Sequence, residues 1–236
     1  MPTDTRRING PESSISPYAF VKSKQLTDKT GLITQAQGSS YIEQDGTKVI
    51  CAVYGPRAVI KREEFSMQGQ MTCEFKFAPF SCRQRRQHMQ DAEEKDYSVQ
   101  LLEALEPAVL LHKFPKAQVN IYITVLQNDG TLAASMTCAS MALADAGIEM
   151  YDLVTGCSAR IKGDTILMDP CSSEEYSDKD SATVNNGSVT VGIMPSLNQI
   201  SAAIRQCVDV CIQLYPVCQQ SLTSAVEDLI QKGSDT

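Results

Sequence analysis

The chain alternates short apolar-polar stretches with turn residues from Gly31 onward. Residues 31–37 and 40–44 read as short β-stretches broken by Gly38, and Asp45-Gly46 is a hairpin signal. Residues 47–54 follow as a buried strand that ends at Gly55-Pro56, and 70–77 alternate apolar and polar positions as another strand. Between 97 and 111, Leu101, Leu105, Ala108 and Val109 recur at helical spacing, with Pro107 placed to kink or end the helix. Residues 118–126, rich in Val, Ile, Thr and Tyr, predict a strand. The turn Asn128-Asp129-Gly130-Thr131 leads into 132–146, an almost wholly apolar, small-residue helix closed by Gly147. A helix apolar on all sides belongs in a core. Residues 154–161 and 165–169 read as strands around Gly163-Asp164, and Gly187-Ser188 turns into the strand 189–195. One or two helices follow over 201–215 and 219–232. Residues 1–30 are polar, carry Pro2, Pro11 and Pro17, and read as an extended arm. The pattern is therefore an arm over 1–30 and a single mixed α/β domain over 31–236, with no internal repeat.

Composition supports that picture. A chain of 236 residues that is 42% hydrophobic can bury a sizeable core, and 21% charged residues is ordinary for a globular protein. No apolar run reaches the roughly 18 residues that suggest a membrane span. Arg6 and Arg7 have no apolar stretch behind them, so no secretory signal is expected. The nine cysteines are dispersed and odd in number, which argues against a disulfide scaffold. No C-x-x-C pair occurs and the only histidines are His88 and His112, so neither a metal site nor a cofactor is expected. Cys207, Cys211 and Cys218 fall at helical spacing and read as one buried face. Reduced thiols imply cytosol or nucleus. The net charge of −7 excludes a generic nucleic-acid binder, because phosphate affinity comes from clustered Lys and Arg. RNA contact, if present, is local or shared with partner chains.

Two segments carry candidate chemistry. A helix N-terminus exposes backbone N–H groups and a partial positive charge, so Gly130, Thr131 and Ser135 form a plausible anion cradle. Most such turns merely cap a helix. The stretch 81–90 is a basic loop with Arg83, Arg85 and Arg86, suited to phosphate contacts without base readout, and an acidic run over 91–96 follows it.

Five blocks resemble the RNase PH family in the family's order. They are QAQGSSYIEQDGTKVICAVYGP ending at Pro56, FAPFSCRQRR at 77–86, LLEALEPAV at 101–109, QNDGTLAASMTCASMALADAG at 127–147 and IMPSLNQI at 193–200. The resemblance implies an α/β (α+β) RNase PH-like fold, two βαβ-type sheet halves packed with helices. It also implies hexameric rings and, in active members, attack of inorganic phosphate on the 3′-terminal phosphodiester of RNA. That chemistry needs arginine forks for the phosphate and a carboxylate or metal at the leaving oxygen.

The departures from the family pattern decide the functional reading. Where active relatives have Arg after Gly-Thr, this chain has Leu132. A second phosphate-binding Arg corresponds to Glu93, and the catalytic aspartate nearest the last block corresponds to Ser188. The other aspartate falls near Ala182, with Asp178 and Asp180 close by. The loop Gly130, Thr131 and Ser135 is thus vestigial, and no catalytic residue is assigned. The segments MPTDTRRINGPE, MYDLVTG and LYPVCQQS further resemble ring subunits of the eukaryotic RNA exosome that are described as catalytically silent. This implies a heterodimer with other RNase PH-like subunits within a hexameric ring, cap subunits with RNA-binding domains, and RNA threading the channel. No membrane is involved, and the implied location is nucleus, nucleolus and cytoplasm. By family position the loop of Arg83, Arg85 and Arg86 contacts RNA. The alternative is an active phosphate-dependent 3′-to-5′ exoribonuclease.

Overall fold

The structure, a computed structural model, describes residues 26–44, 46–58, 68–87, 89–162, 165–170 and 186–195, with nine positions between 215 and 227. Five strands make the larger sheet: β1 (Leu26–Thr30), β2 (Gly38–Gln44), β3 (Thr47–Ala58), β4 (Gln70–Phe77) and β5 (Ala117–Gln127), in spatial order β1-β2-β3-β5-β4. Gln44 pairs with Thr47, so β2 and β3 meet as the antiparallel hairpin that the Asp-Gly signal predicts. Period-two alternation puts Val119, Ile121, Ile123 and Val125 of β5, an interior strand, into the core and leaves Tyr122 exposed. β4 runs parallel to β5 and is joined to it through α1 (Ala92–Leu105), a βαβ crossover. A smaller antiparallel sheet holds β6 (Thr155–Lys162) between β7 (Thr165–Met168) and β8 (Asn186–Ile193). Among the described residues, the βαβ connection occurs only in the larger sheet.

The apolar helix α2 (Thr131–Asp145) lies between the two sheets, and twelve of its fifteen residues are buried. It contacts β2 and β3 on one side and β6 on the other. Its small residues permit this. A side chain on Gly38 would collide with the backbone of Ala142 and Ala146, and one on Gly156 would collide with Ala133. Hydroxyls then tie helix to sheet: Ser40 Oγ donates to the Cys138 carbonyl at 2.6 Å, and Thr137 Oγ1 accepts from Gly156 N at 3.0 Å. Leu101, Leu105, Met141, Leu143 and Phe75 complete the core, with Cys218 fully buried against it.

Several expectations are corrected by this architecture. The sheet begins at Leu26, inside the expected arm, because β1 pairs with β2 along its whole length; residues 1–25 lie outside the described residues. Residues 31–37 are not a strand. Gly31 sits at φ +71°, and the N–H groups of Gly31 and Ile33 turn back to bond Ser39. β3 continues past Gly55-Pro56 to Ala58, through an irregularity between Tyr54 and Arg57. The first helix starts at Ala92, not 97. Asp91 N–H donates to the Glu94 carboxylate at 3.0 Å, a capping box that recruits the acidic run into the first turn. Beyond Leu105 the chain tightens into a 3-10 turn at Glu106–Ala108, where Pro107 has no N–H to continue the helix, and a second such turn follows at Leu111–Lys113. The helices expected over 201–232 fall largely outside the described residues, as do Cys207 and Cys211.

Candidate functional site

The start of α2 forms one wall of a cleft of about 330 Å³. Gly130 is its N-cap at φ +97°, a left-handed conformation that glycine adopts without strain. The Pro170 carbonyl oxygen lies 2.8 Å from where a Cβ on Gly130 would stand, so only glycine fits there. Leu132 continues the wall, Ser188 and Thr190 of β8 face it, and Tyr97 and Gln100 of α1 close a third side. Ser158, Ala159 and Pro170 complete the lining, and none of these nine residues is charged. Three sequence-selected positions, Gly130, Leu132 and Ser188, thus converge from two distant segments on one cleft.

Thr131 and Ser135 do not join them. Both are buried, and Ser135 Oγ donates to the Thr131 carbonyl at 2.7 Å, so that hydroxyl is used inside the helix. Asp169, which sequence reasoning did not single out, lies buried beside Gly130. Its carboxylate accepts from Gln44 Nε2 at 2.7 Å and from Ser158 Oγ at 3.3 Å, bridging the two sheets. The only signal in the sequence was its place before Pro170, at the end of an expected strand. Asp178, Asp180 and Ala182 lie outside the described residues.

The basic loop lies next to the cleft. Asn128 N–H donates to the Ser81 carbonyl at 3.0 Å, and the Asn128 amide contacts Cys82 Sγ at 3.7 Å. Arg83 and Arg85 are exposed. Arg86 departs from the expectation of three equivalent outward arginines. Its Nη2 donates to Glu93 Oε2 at 2.8 Å, its Nε to Cys82 Sγ at 3.2 Å, and its Cζ stands 4.2 Å from the centroid of the Phe77 ring. Burial alone would lower the guanidinium pKa. The Glu93 and Cys82 hydrogen bonds outweigh it and raise the pKa above its ordinary value, so Arg86 stays charged throughout the accessible range. Glu93 also accepts from the Tyr97 hydroxyl at 3.3 Å, which links this ion pair to the cleft wall. A paired carboxylate repels an anion less than an isolated one does.

Fold and cleft together define a class. The model of the 3′ exoribonuclease family (RNase PH), domain 1, matches residues 22–149, and the chain belongs to that family. Among curated relatives, "Exosome complex component MTR3" of Homo sapiens is 38% identical, over 95% of this chain and 96% of the relative. The mtr3 component of Schizosaccharomyces pombe is 37% identical, over 84% and 82%. The exosome complex component Rrp41 of the archaeon Pyrococcus furiosus is 39% identical, over 73% and 67%. A solved structure of rice (Oryza sativa) Rrp46 superposes with a TM-score of 0.66, covering 92% of this chain and 98% of that one at 18% identity. That likeness bears on the fold.

Proposed function

We propose that this chain is a non-catalytic structural subunit of an RNA exosome core ring, of the mRNA transport regulator three type. It pairs with other RNase PH-like subunits in a hexameric ring, offers a docking surface to cap subunits with RNA-binding domains, and lines the channel that RNA threads. Its location is nucleus, nucleolus and cytoplasm, where that assembly processes and degrades RNA. The names and coverage of the curated relatives support the assignment to this assembly.

The observation that carries the non-catalytic reading is the lack of charge among the described residues that line the cleft. Leu132 and Ser188 stand in it where the family pattern has a phosphate-binding arginine and a catalytic aspartate. A leucine neither pairs with nor donates to a phosphoryl oxygen, and a serine hydroxyl is too weak an acid to protonate a leaving ribose oxygen. The exposed Arg83 and Arg85 supply sequence-independent phosphate contacts to RNA passing the loop.

The test is reconstitution with RNase PH-like partner chains, followed by incubation with 3′-tailed RNA and inorganic phosphate. The expected result is an assembled ring in which this chain contributes no nucleoside diphosphate release, and in which charge reversal at Arg83 and Arg85 weakens RNA passage. Release that persists when the partner chains are inactivated, and that vanishes on mutating Asp178 or Asp180, would establish the phosphorolytic alternative.

A further inference from the structure

Arg86 is the inward-facing arginine of the basic loop, and its hydrogen-bonding edge is already occupied. A guanidinium recognises phosphate through the in-plane fork of its N–H groups. Here that fork meets Glu93 at 2.8 Å and Cys82 Sγ at 3.2 Å, while Nη1 lies 3.6 Å from Asp91 Oδ2. One flat face is covered by Phe77. Glu93 is oriented in turn by Tyr97. The loop is closed at its base by Arg86 N–H donating to the Pro79 carbonyl at 3.1 Å, with Arg83 and Arg85 between these anchors.

We propose that Glu93 is a positioning residue for RNA contact: its carboxylate occupies the Arg86 fork in place of a phosphate and so holds the 79–86 loop with Arg83 and Arg85 turned toward RNA. The inference rests on the reading that this loop touches RNA. It assigns a use to the residue that replaces a family phosphate-binding arginine. The acid at 93 locks a neighbouring arginine into the fold, and the loop presents two phosphate contacts rather than three.

The sign of one experiment separates this from simple electrostatics. Removing a negative charge near an RNA-binding loop strengthens RNA binding if charge alone matters. If Glu93 positions the loop, its removal weakens binding. Rings reconstituted with the full-length chain are titrated with a labelled oligoadenylate over a range of salt concentrations. Glu93→Ala is expected to weaken binding about two- to fivefold, the scale of a partly exposed ion pair, with Glu93→Gln intermediate because its amide oxygen still accepts. Arg86→Met is expected to weaken binding equally while leaving the salt slope unchanged, and Arg86→Met with Glu93→Ala to be no weaker than either alone. Arg83→Ala and Arg85→Ala are each expected to lower the slope by about 0.7, the single-strand value per contact. Faster amide exchange over 81–87 in Glu93→Ala, with β5 unchanged, accompanies the loss.

Equal or tighter binding by Glu93→Ala, or a fall in slope for Arg86→Met like that for Arg83→Ala, overturns the positioning role and leaves RNA contact standing. Unchanged binding in the Arg83→Ala, Arg85→Ala double variant overturns RNA contact itself. If Glu93→Ala rings fail to assemble, Glu93→Gln and Arg86→Met carry the same comparison.

Discussion

Gly156 of β6 lies so close to the Ala133 carbonyl of α2 that no side chain fits between them. This contact seats the buried helix on the smaller sheet, just as Gly38 seats it on the larger one. It therefore fixes where the start of α2, and with it the cleft, stands relative to β8.

Gly156→Ala is expected to destabilise the chain, because the added methyl meets backbone atoms rather than a movable side chain. Overpacking of this kind costs about 1–3 kcal/mol. For a chain of this size that lowers Tm by about 2–4 °C per kcal/mol. Thermal unfolding followed by circular dichroism reads it, and an unchanged Tm would mean that α2 and β6 are not so closely packed.

Glu94 is a buried acid with a structural task. Its Oε1 accepts from Phe77 N–H at 2.9 Å and its Oε2 from Asp91 N–H at 3.0 Å, so one carboxylate joins the end of β4 to the start of α1. Glu94→Ala leaves both backbone donors without their acceptor, at a cost of about 1–3 kcal/mol for each group that stays buried. Glu94→Gln keeps one acceptor oxygen and is expected to lose less. Chemical denaturation of the two variants checks the order, and equal stability of Glu94→Ala and the parent chain would sink the argument.

Much of this fold was legible in the chain. The alternation at 70–77 gives β4 with its observed ends, because a sheet with one buried face enforces period two. The small, apolar run after Gly130 gives α2 to within one residue at each end. What failed to show were features decided by side-chain partners. The acidic run at 91–96 lies outside the helix that the spacing from 97 predicts, yet the Asp91 and Glu94 capping box makes it the first turn of α1. Leu132 and Ser188, far apart in sequence, could be joined only through family resemblance before the cleft brought them together. Three arginines on one loop looked alike in sequence, and only packing against Phe77 and Glu93 sets Arg86 apart. Thr131 and Ser135 were chosen for their hydroxyls, but helix geometry turns both into the core.

Leu132→Arg tests the proposal that the cleft is a phosphate site without its arginine. Residue 132 lines the cleft, and none of the described lining residues is charged, so an arginine there has no described lining carboxylate to pair with and its fork is available to an anion. Phosphate is therefore expected to raise the Tm of Leu132→Arg and leave the parent unchanged, since a ligand that binds only the folded state stabilises it by RT ln(1 + [L]/Kd). Phosphorolysis is not expected to follow. A correctly placed general acid or base contributes about 10²–10⁴ in rate, and the Ser188 hydroxyl does not supply it. A second arginine at position 93 is absent too, and installing one by Glu93→Arg would set it against Arg86 and release the basic loop. The expected outcome is thus phosphate binding without nucleoside diphosphate release, read by a thermal shift and by product analysis on 3′-tailed RNA. Turnover by Leu132→Arg alone would show that the cleft still holds a working acid, and the reading of Ser188 as its lost position would fall.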